Sequence, residues 1–514
     1  MIKTIYKHNK ICAIIFVYLI IGIFTLSWCP RVFVDEPNLS SRVYLNSKNI
    51  TMPSNMPFYS KNKGTTFFLQ TNASLPFVKY FGHTPLSIRL PGYICFLASL
   101  IFLYMFFLTK YNAEFAILYC ALFGLQFPVF WASHIFRPEI YIIFFQSICL
   151  FILTKNKNPK TSFLLGLFSS IGIFAHLIVL WLPFVIAGLY FLPYFKDRGT
   201  LLSKYREFLS FAAGVIISLS LYYLLIDKGS LSGMVNFGLS QRKSLIHAFY
   251  TFSKMVGKYF IADGGWRIGI LIISLTIIIK KLIKNPSKIF FEIAPFLFGL
   301  CSTFLLLTLI GRTSRLYLSF LNIWFLFFLV FSISLISNVR LQQLLKIMVF
   351  LFFAGYISLF AMATYKLDLN NYYNKLNNAC ELIDKNAKVL GRSQHHYYLQ
   401  KKIQYIYEWD LLPVVKESKT DILEKYYNKN HFDYIILDSA LLNFKNDTTS
   451  TAGFLQRHAI KLATVVHPYG GRRIMDYPIF GGVIKFLYKY NKSSKKTDET
   501  MIYRINHQSF NNKI

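Results

Sequence analysis

Residues 11–29 read ICAIIFVYLIIGIFTLSWC, and the chain continues over 30–37 as PRVFVDEP. The first stretch carries no charge and is long enough to cross about 30 Å of hydrocarbon as a helix. Lys3, Lys7 and Lys10 precede it, and such cations hold their flank of a span on the cytoplasmic side. The stretch is long for a cleaved signal peptide and further apolar stretches follow it, so it reads as a retained anchor. Its far end then emerges on the outer side, where the first acidic residues are the neighbours Asp35 and Glu36.

The same pattern recurs along the chain. Hydrophobic residues make up 54% and aromatic residues 18% of the 514 positions, too apolar for an ordinary soluble protein. Apolar stretches near 11–29, 90–109, 114–132, 139–154, 162–176, 178–195, 207–227, 266–283, 289–310, 316–337 and 344–365 predict a polytopic α-helical membrane protein with about eleven transmembrane helices. Alternation from a cytoplasmic N-terminus puts Lys110, Lys155, Lys157, Lys160, Lys196, Arg198, Lys204, Arg206, Lys280, Lys281, Lys284, Lys288, Arg340 and Lys346 in or beside inner loops, as the positive-inside rule asks. The stretch 162–195 admits a second reading as one long kinked helix, which would invert everything after it.

The net charge of +33 is spread over short loops, without a basic domain or an aromatic-interleaved stripe. This argues against nucleic acid as a partner and for membrane lipids and phosphorylated lipids. The seven cysteines follow no metal or disulfide spacing, and no phosphate-binding glycine loop supports nucleotide-driven chemistry.

Two segments lie outside the lipid. The outer loop 30–89 is proline-rich, and its apolar run 66–81 reads as an interfacial or re-entrant helix. Beyond 366 the composition turns polar. Strand-like runs at 388–392, 403–408, 432–438, 463–468 and 501–505 alternate with helical ones at 372–385 and 421–430, which predicts a small extracytoplasmic α/β domain. The expected domains are therefore 1–365, transmembrane and catalytic, and 366–514.

Candidate chemistry gathers on the outer side. Asp35 and Glu36 suit a general base, which must be ionisable and close to the reacting group; the competing reading is a solvated loop start. Glu139 opens the fourth span beside Arg137, as a substrate-binding acid or a cap pair. His134 and His176 reach outer helix ends, either as satisfied histidines or as parts of a metal or acid–base cluster with the three acids. Glu139 and His134 are the candidates for a divalent metal, the only cofactor these residues suggest. Arg89, Lys243, Arg312 and Arg315 are cations suited to a phosphate at the bilayer surface; salt bridges and lipid anchoring are the alternatives.

The order of these features resembles the GT-C superfamily of membrane glycosyltransferases. Within it, the likeness is to the family 39 branch, which is protein-mannosyltransferase-like and includes aminoarabinose transferases. The resemblance is carried by Asp35-Glu36, Phe81-Gly82 before Ser87-Ile88-Arg89-Leu90-Pro91, Arg137-Pro138-Glu139, Gly166 with Ala175-His176, Arg315-Leu316-Tyr317 and the C-terminal outer domain. It implies transfer of a sugar from a polyprenyl-phosphate donor to a glycan, lipid or protein acceptor on the extracytoplasmic face. Asp35 or Glu36 would be the base, and Arg89, Arg137, Glu139, His176, Lys243, Arg312 and Arg315 would bind substrate or phosphate. A single displacement predicts inversion. A lipid-linked-sugar flippase, which should hold ionisable residues near the bilayer midplane, and a polysaccharide polymerase are the rival readings. The expected location is the inner or plasma membrane.

Overall fold

The computed structural model describes residues 9–27, 68–191, 204–225, 244–261, 266–309, 317–366, 369–384, 387–391, 404–407, 431–438, 448–467 and 498–511, together with Glu36, Ser40, Val43, Tyr44, 46–49 and 427–428. They fall into two compact units.

The membrane unit is helical. Its elements are α1 (Asn9–Thr25), the start of α2 (Phe68–Phe81), most of α3 (Pro85–Lys110), α4 (Ala113–Phe123), α5 (Phe127–Ser133), α6 (Glu139–Ile152) and α7 (Pro159–Ile171). These are followed by α8 (Trp181–Phe191), α9 (Tyr205–Leu225), α10 (Leu245–Ile261), α11 (Trp266–Lys284), α12 (Pro286–Leu309), α13 (Leu318–Ser334) and most of α14 (Val339–Lys366). Among the described residues α3, α9, α12 and α14 are long and apolar enough to cross a membrane, α4 and α5 form a pair bent by 67°, and five shorter apolar helices accompany them. The chain is a multi-pass membrane protein.

Over its described residues, 162–191, the ambiguous stretch is a hairpin. Helix α7 ends at Ile171, short 3-10 turns follow on either side of an extended His176, and α8 returns. The Ser162 hydroxyl at the start of α7 donates to the Tyr190 hydroxyl at the end of α8 at 2.9 Å, which an uninterrupted helix could not do. Ends that alternation assigns to one side pair with each other: Lys346 with Glu114 at 3.0 Å, Lys281 with Ser337 at 3.2 Å, and Thr25 with His134 at 3.0 Å on the opposite side.

Helices α7 and α9 cross at glycines. Small residues recur every four positions on both helices, Ser162-Gly166-Ser170 on α7 and Ser210-Gly214-Ser218 on α9, and the Ser218 hydroxyl donates to the Leu167 carbonyl at 3.1 Å. A Cβ at Gly166 would come within 2.0 Å of the Phe211 carbonyl oxygen, and one at Gly214 within 2.3 Å of that of Phe163. Backbones approach this closely only where side chains are absent, as is usual in membrane helix pairs.

The second unit combines the C-terminal domain with Glu36, Ser40, Val43, Tyr44 and residues 74–88 of the first outer loop. Its sheet has the order β2-β1-β3-β5-β4, from β1 (Lys388–Gly391), β2 (Gln404–Tyr407), β3 (Tyr434–Asp438), β4 (Ala459–His467) and β5 (Asp498–Ile505), with α15 (Leu369–Cys380), α16 (Thr448–His458) and α17 (Gln508–Asn511). Strand β1 runs parallel to β2 and β3, whereas β5 is antiparallel to β3 and β4. Alternate β3 side chains enter different cores. Tyr434 and Ile436 join Leu376 and Cys380 of α15, while Ile435 and Leu437 join Phe454 and Leu455 of α16. This is the period of two expected of a strand covered on both faces. Tyr44 packs against the first core and lies 5.2 Å from the His83 ring, so part of the outer loop folds with the C-terminal domain rather than forming an independent segment.

Candidate functional site

Arg89 is held by a local device. Gly82 adopts φ +76°, a left-handed conformation that only glycine takes without strain. The chain then enters α3 through a reciprocal cap: the Ser87 amide donates to the Thr84 hydroxyl oxygen at 3.2 Å, the Thr84 amide donates to the Ser87 oxygen at 3.0 Å, and the Ser87 hydroxyl donates to the Gly82 carbonyl at 2.6 Å. The Phe81-Gly82 and Ser87 motif is therefore a turn and a cap. Helix α3 starts earlier than expected, so Arg89 lies within it instead of ahead of it. It is 1% exposed and its Nη1 donates to the Leu26 carbonyl at 2.8 Å, satisfying an oxygen at the end of α1.

His134 belongs to the same layer. Its Nδ1 lies 2.8 Å from the Phe130 carbonyl, and because a carbonyl only accepts, Nδ1 carries the proton. Nε2 lies 3.0 Å from the Thr25 hydroxyl oxygen, which itself donates to the Ile21 carbonyl. Both ring nitrogens are thus engaged, and the metal-ligand candidacy of His134 gives way to the satisfied-histidine reading. Among the described residues no three His, Cys, Asp or Glu side chains group as a metal site.

Glu139, 1% exposed in the first turn of α6, receives Arg137 in a two-pronged pair, Nη2 to Oε1 at 3.1 Å and Nε to Oε2 at 3.3 Å. The helix N-terminus favours the same charge. One turn after Arg89, a Cβ on Gly92 would meet Ile140 at 3.1 Å, so α3 and α6 are in close contact beside these residues. His176 is half-buried and caps the following turn, its Nδ1 accepting the Ile178 amide at 2.9 Å. Glu36 is fully buried, in the second unit. Asp35, Lys243, Arg312 and Arg315 lie outside the described residues. The structure therefore brings together Arg89 with His134 and Arg137 with Glu139.

The residue that sequence reasoning missed is Arg267, in the first turn of α11. It is 6% exposed, its guanidinium lies 5.1 Å from the Tyr356 ring centre, and it lines a small open cleft. Gln126, at the break between α4 and α5, and Asn322 of α13 add polarity. Leu271, Phe325, Leu326, Leu329 and Phe353 make the rest of the lining largely apolar. The Asn322 amide donates to the Leu318 carbonyl at 2.9 Å, whereas the amide nitrogen of Gln126 is buried with no hydrogen-bond partner. A buried cation beside an apolar groove suits an amphiphile with an anionic head. The available signal was an arginine within an otherwise apolar span, which is a functional hypothesis by default.

No family model matches the sequence, and none of the curated proteins matches it. Solved structures do share its fold. ArnT from Cupriavidus metallidurans, in a crystal structure bound to undecaprenyl phosphate, superposes with a TM-score of 0.59 at 11% identity over 90% of this chain and 96% of that one. The Archaeoglobus fulgidus oligosaccharyltransferase tethered to an acceptor peptide gives 0.49 at 11% identity, over 89% and 73%. The likeness to ArnT identifies the architecture as the GT-C membrane fold with a small C-terminal sheet domain.

Proposed function

We propose that the protein is an integral-membrane glycosyltransferase of the family 39 type, which transfers a sugar from a polyprenyl-phosphate donor to a glycan, lipid or protein acceptor on the extracytoplasmic face of the inner or plasma membrane. The observation that carries this reading is the Arg267 cleft, with its buried guanidinium and apolar walls, in a fold shared with a protein crystallised with undecaprenyl phosphate. Arg267 is the cation for the phosphate, and the apolar wall accommodates the start of the isoprenoid tail. Arg267 sits in the first turn of its helix.

The chemistry is one displacement. An acceptor hydroxyl oxygen forms a bond to the anomeric carbon as the bond from that carbon to the phosphate oxygen breaks. The hydroxyl proton passes to Asp35 or Glu36, and the bonding pair leaves with the polyprenyl phosphate. Arg267, with Arg89, Lys243, Arg312 and Arg315 as further outer cations, stabilises the charge that develops there. Inversion follows, and Glu139 orients substrate through its pair with Arg137.

The test is transfer from a mixed polyprenyl-phosphate-sugar pool by the purified protein, followed by mass spectrometry. Wild type should transfer. Arg267→Ala should lose ~10- to 100-fold in carrier affinity, the worth of a charged hydrogen bond of about 1.5–3 kcal/mol. Asp35→Asn or Glu36→Gln should abolish transfer while donor still binds. Full activity in both carboxylate variants would remove the base, and no transfer by wild type with any donor would overturn the proposal in favour of a flippase.

A further inference from the structure

Helix α2 turns its polar side inward. Gln70 (0% exposed), Thr71 (3%) and Ser74 (0%) face the protein, whereas Tyr80 and Phe81 are 85% and 68% exposed. An interfacial helix can seat aromatic residues in the head-group region, so the outward face is accounted for. The inward face is not. Ser74 donates its hydroxyl to the Ile88 carbonyl at 3.0 Å, but the amide oxygen and nitrogen of Gln70 and the hydroxyl of Thr71 have no hydrogen-bond partner. Burying such groups unmatched is costly, and leucine or valine would fill the same space without that penalty.

The chemistry of these groups narrows what would match them. A phosphate calls for arginine or lysine and a metal for carboxylates or imidazoles. A primary amide, which donates and accepts in one plane, and a neutral hydroxyl instead suit a neutral polyhydroxylated ligand. An aromatic shelf is at hand: the ring of Phe68, at the start of α2, lies 5.9 Å from that of Phe174, which in turn lies 5.4 Å from Tyr222. Aromatic rings offer the apolar faces that the C–H side of a sugar needs.

We propose that Gln70 and Thr71 form a hydroxyl-recognition subsite for a sugar ring, donor-borne or acceptor-borne, and so determine sugar specificity. This rests on the glycosyltransferase reading. The experiment measures, for the full-length protein in nanodiscs, affinities for a polyprenyl-phosphate-sugar pool, for undecaprenyl phosphate alone and for free oligosaccharides, along with thermal midpoints. Gln70→Leu and Thr71→Val are compared with Thr71→Ser. The first two should each weaken binding of one sugar-bearing ligand by ~10-fold, leave undecaprenyl phosphate binding unchanged and not lower the midpoint, and Thr71→Ser should restore binding. Weakened donor binding assigns the ring to the donor, and weakened oligosaccharide binding assigns it to the acceptor. Unchanged affinities for every ligand, with the midpoint raised, would overturn the subsite alone. A wild type that binds no carrier would overturn the functional reading and the subsite with it.

Discussion

Two regions of the membrane unit bury polar groups in different ways. Between α7, α8 and α9, Glu207 accepts the Tyr190 hydroxyl at 3.0 Å with one oxygen and Lys204 at 2.9 Å with the other. Ser162 donates to that same Tyr190 hydroxyl at 2.9 Å, and Lys157 donates to the Tyr190 carbonyl at 2.9 Å. The network closes on itself. In the Arg267 cleft the Gln126 amide nitrogen has no hydrogen-bond partner, and a buried guanidinium borders mostly apolar walls. A region that serves stability satisfies its own polar groups, whereas one that receives a ligand keeps some of its polarity for that ligand.

Substitutions in the two regions should therefore move different observables. The largest effect belongs to the helix crossing beneath the closed network. Gly166→Val sets side-chain atoms against the Phe211 backbone, which cannot yield as a flexible side chain would, and it should cost at least about 3 kcal/mol in detergent unfolding. Glu207→Ala comes next. It strands Lys204 and the Tyr190 hydroxyl, and with Lys204 one-third exposed the loss should be about 2 kcal/mol, below that of a fully buried pair. Carrier affinity of the folded fraction should stay at the wild-type value in both variants, the reverse of Arg267→Ala, which should lose affinity while its unfolding midpoint barely moves. Lost carrier affinity at unchanged stability in Glu207→Ala would break the distinction.

Much of this architecture was legible in the sequence because its signals are local. Hydrophobic length marked apolar helices, and each of the five strand-like runs of the C-terminal domain overlaps a strand, although β4 and β5 begin earlier than expected. Residues 434–437 are apolar throughout, so which side chains enter which core is shown by packing alone. Strand order could not be read, because β5, last in the chain, inserts between β3 and β4 through pairings distant in sequence. The Arg267 cleft was hidden for the same reason. Gln126, Arg267, Asn322 and Phe353 come from separate segments of the chain, and only packing shows that they line one space. For His134 the sequence left a satisfied histidine and an acid–base or metal cluster as alternatives, and only packing shows Thr25 and a backbone carbonyl beside its ring.

The smallest effect sharpens the comparison most, because it asks whether the closed network is dry. Lys157 sits in the loop between α6 and α7. Burial pushes its ammonium below the usual value of 10.5, Glu207 opposes that shift, and Lys110 and Lys204 add to it. A lysine whose folded-state pKa is depressed binds fewer protons in the native than in the unfolded state. The cost of its charge is present in full below the folded value and is relieved as pH rises from there towards 10.5. Stability of wild type relative to Lys157→Met should therefore climb with pH across that alkaline window and be flat at neutral pH, as read from paired thermal midpoints. A difference that stayed flat throughout would mean that Lys157 is fully hydrated, so that water reaches the network and its resistance to ligand-like behaviour comes from solvent rather than from internal pairing.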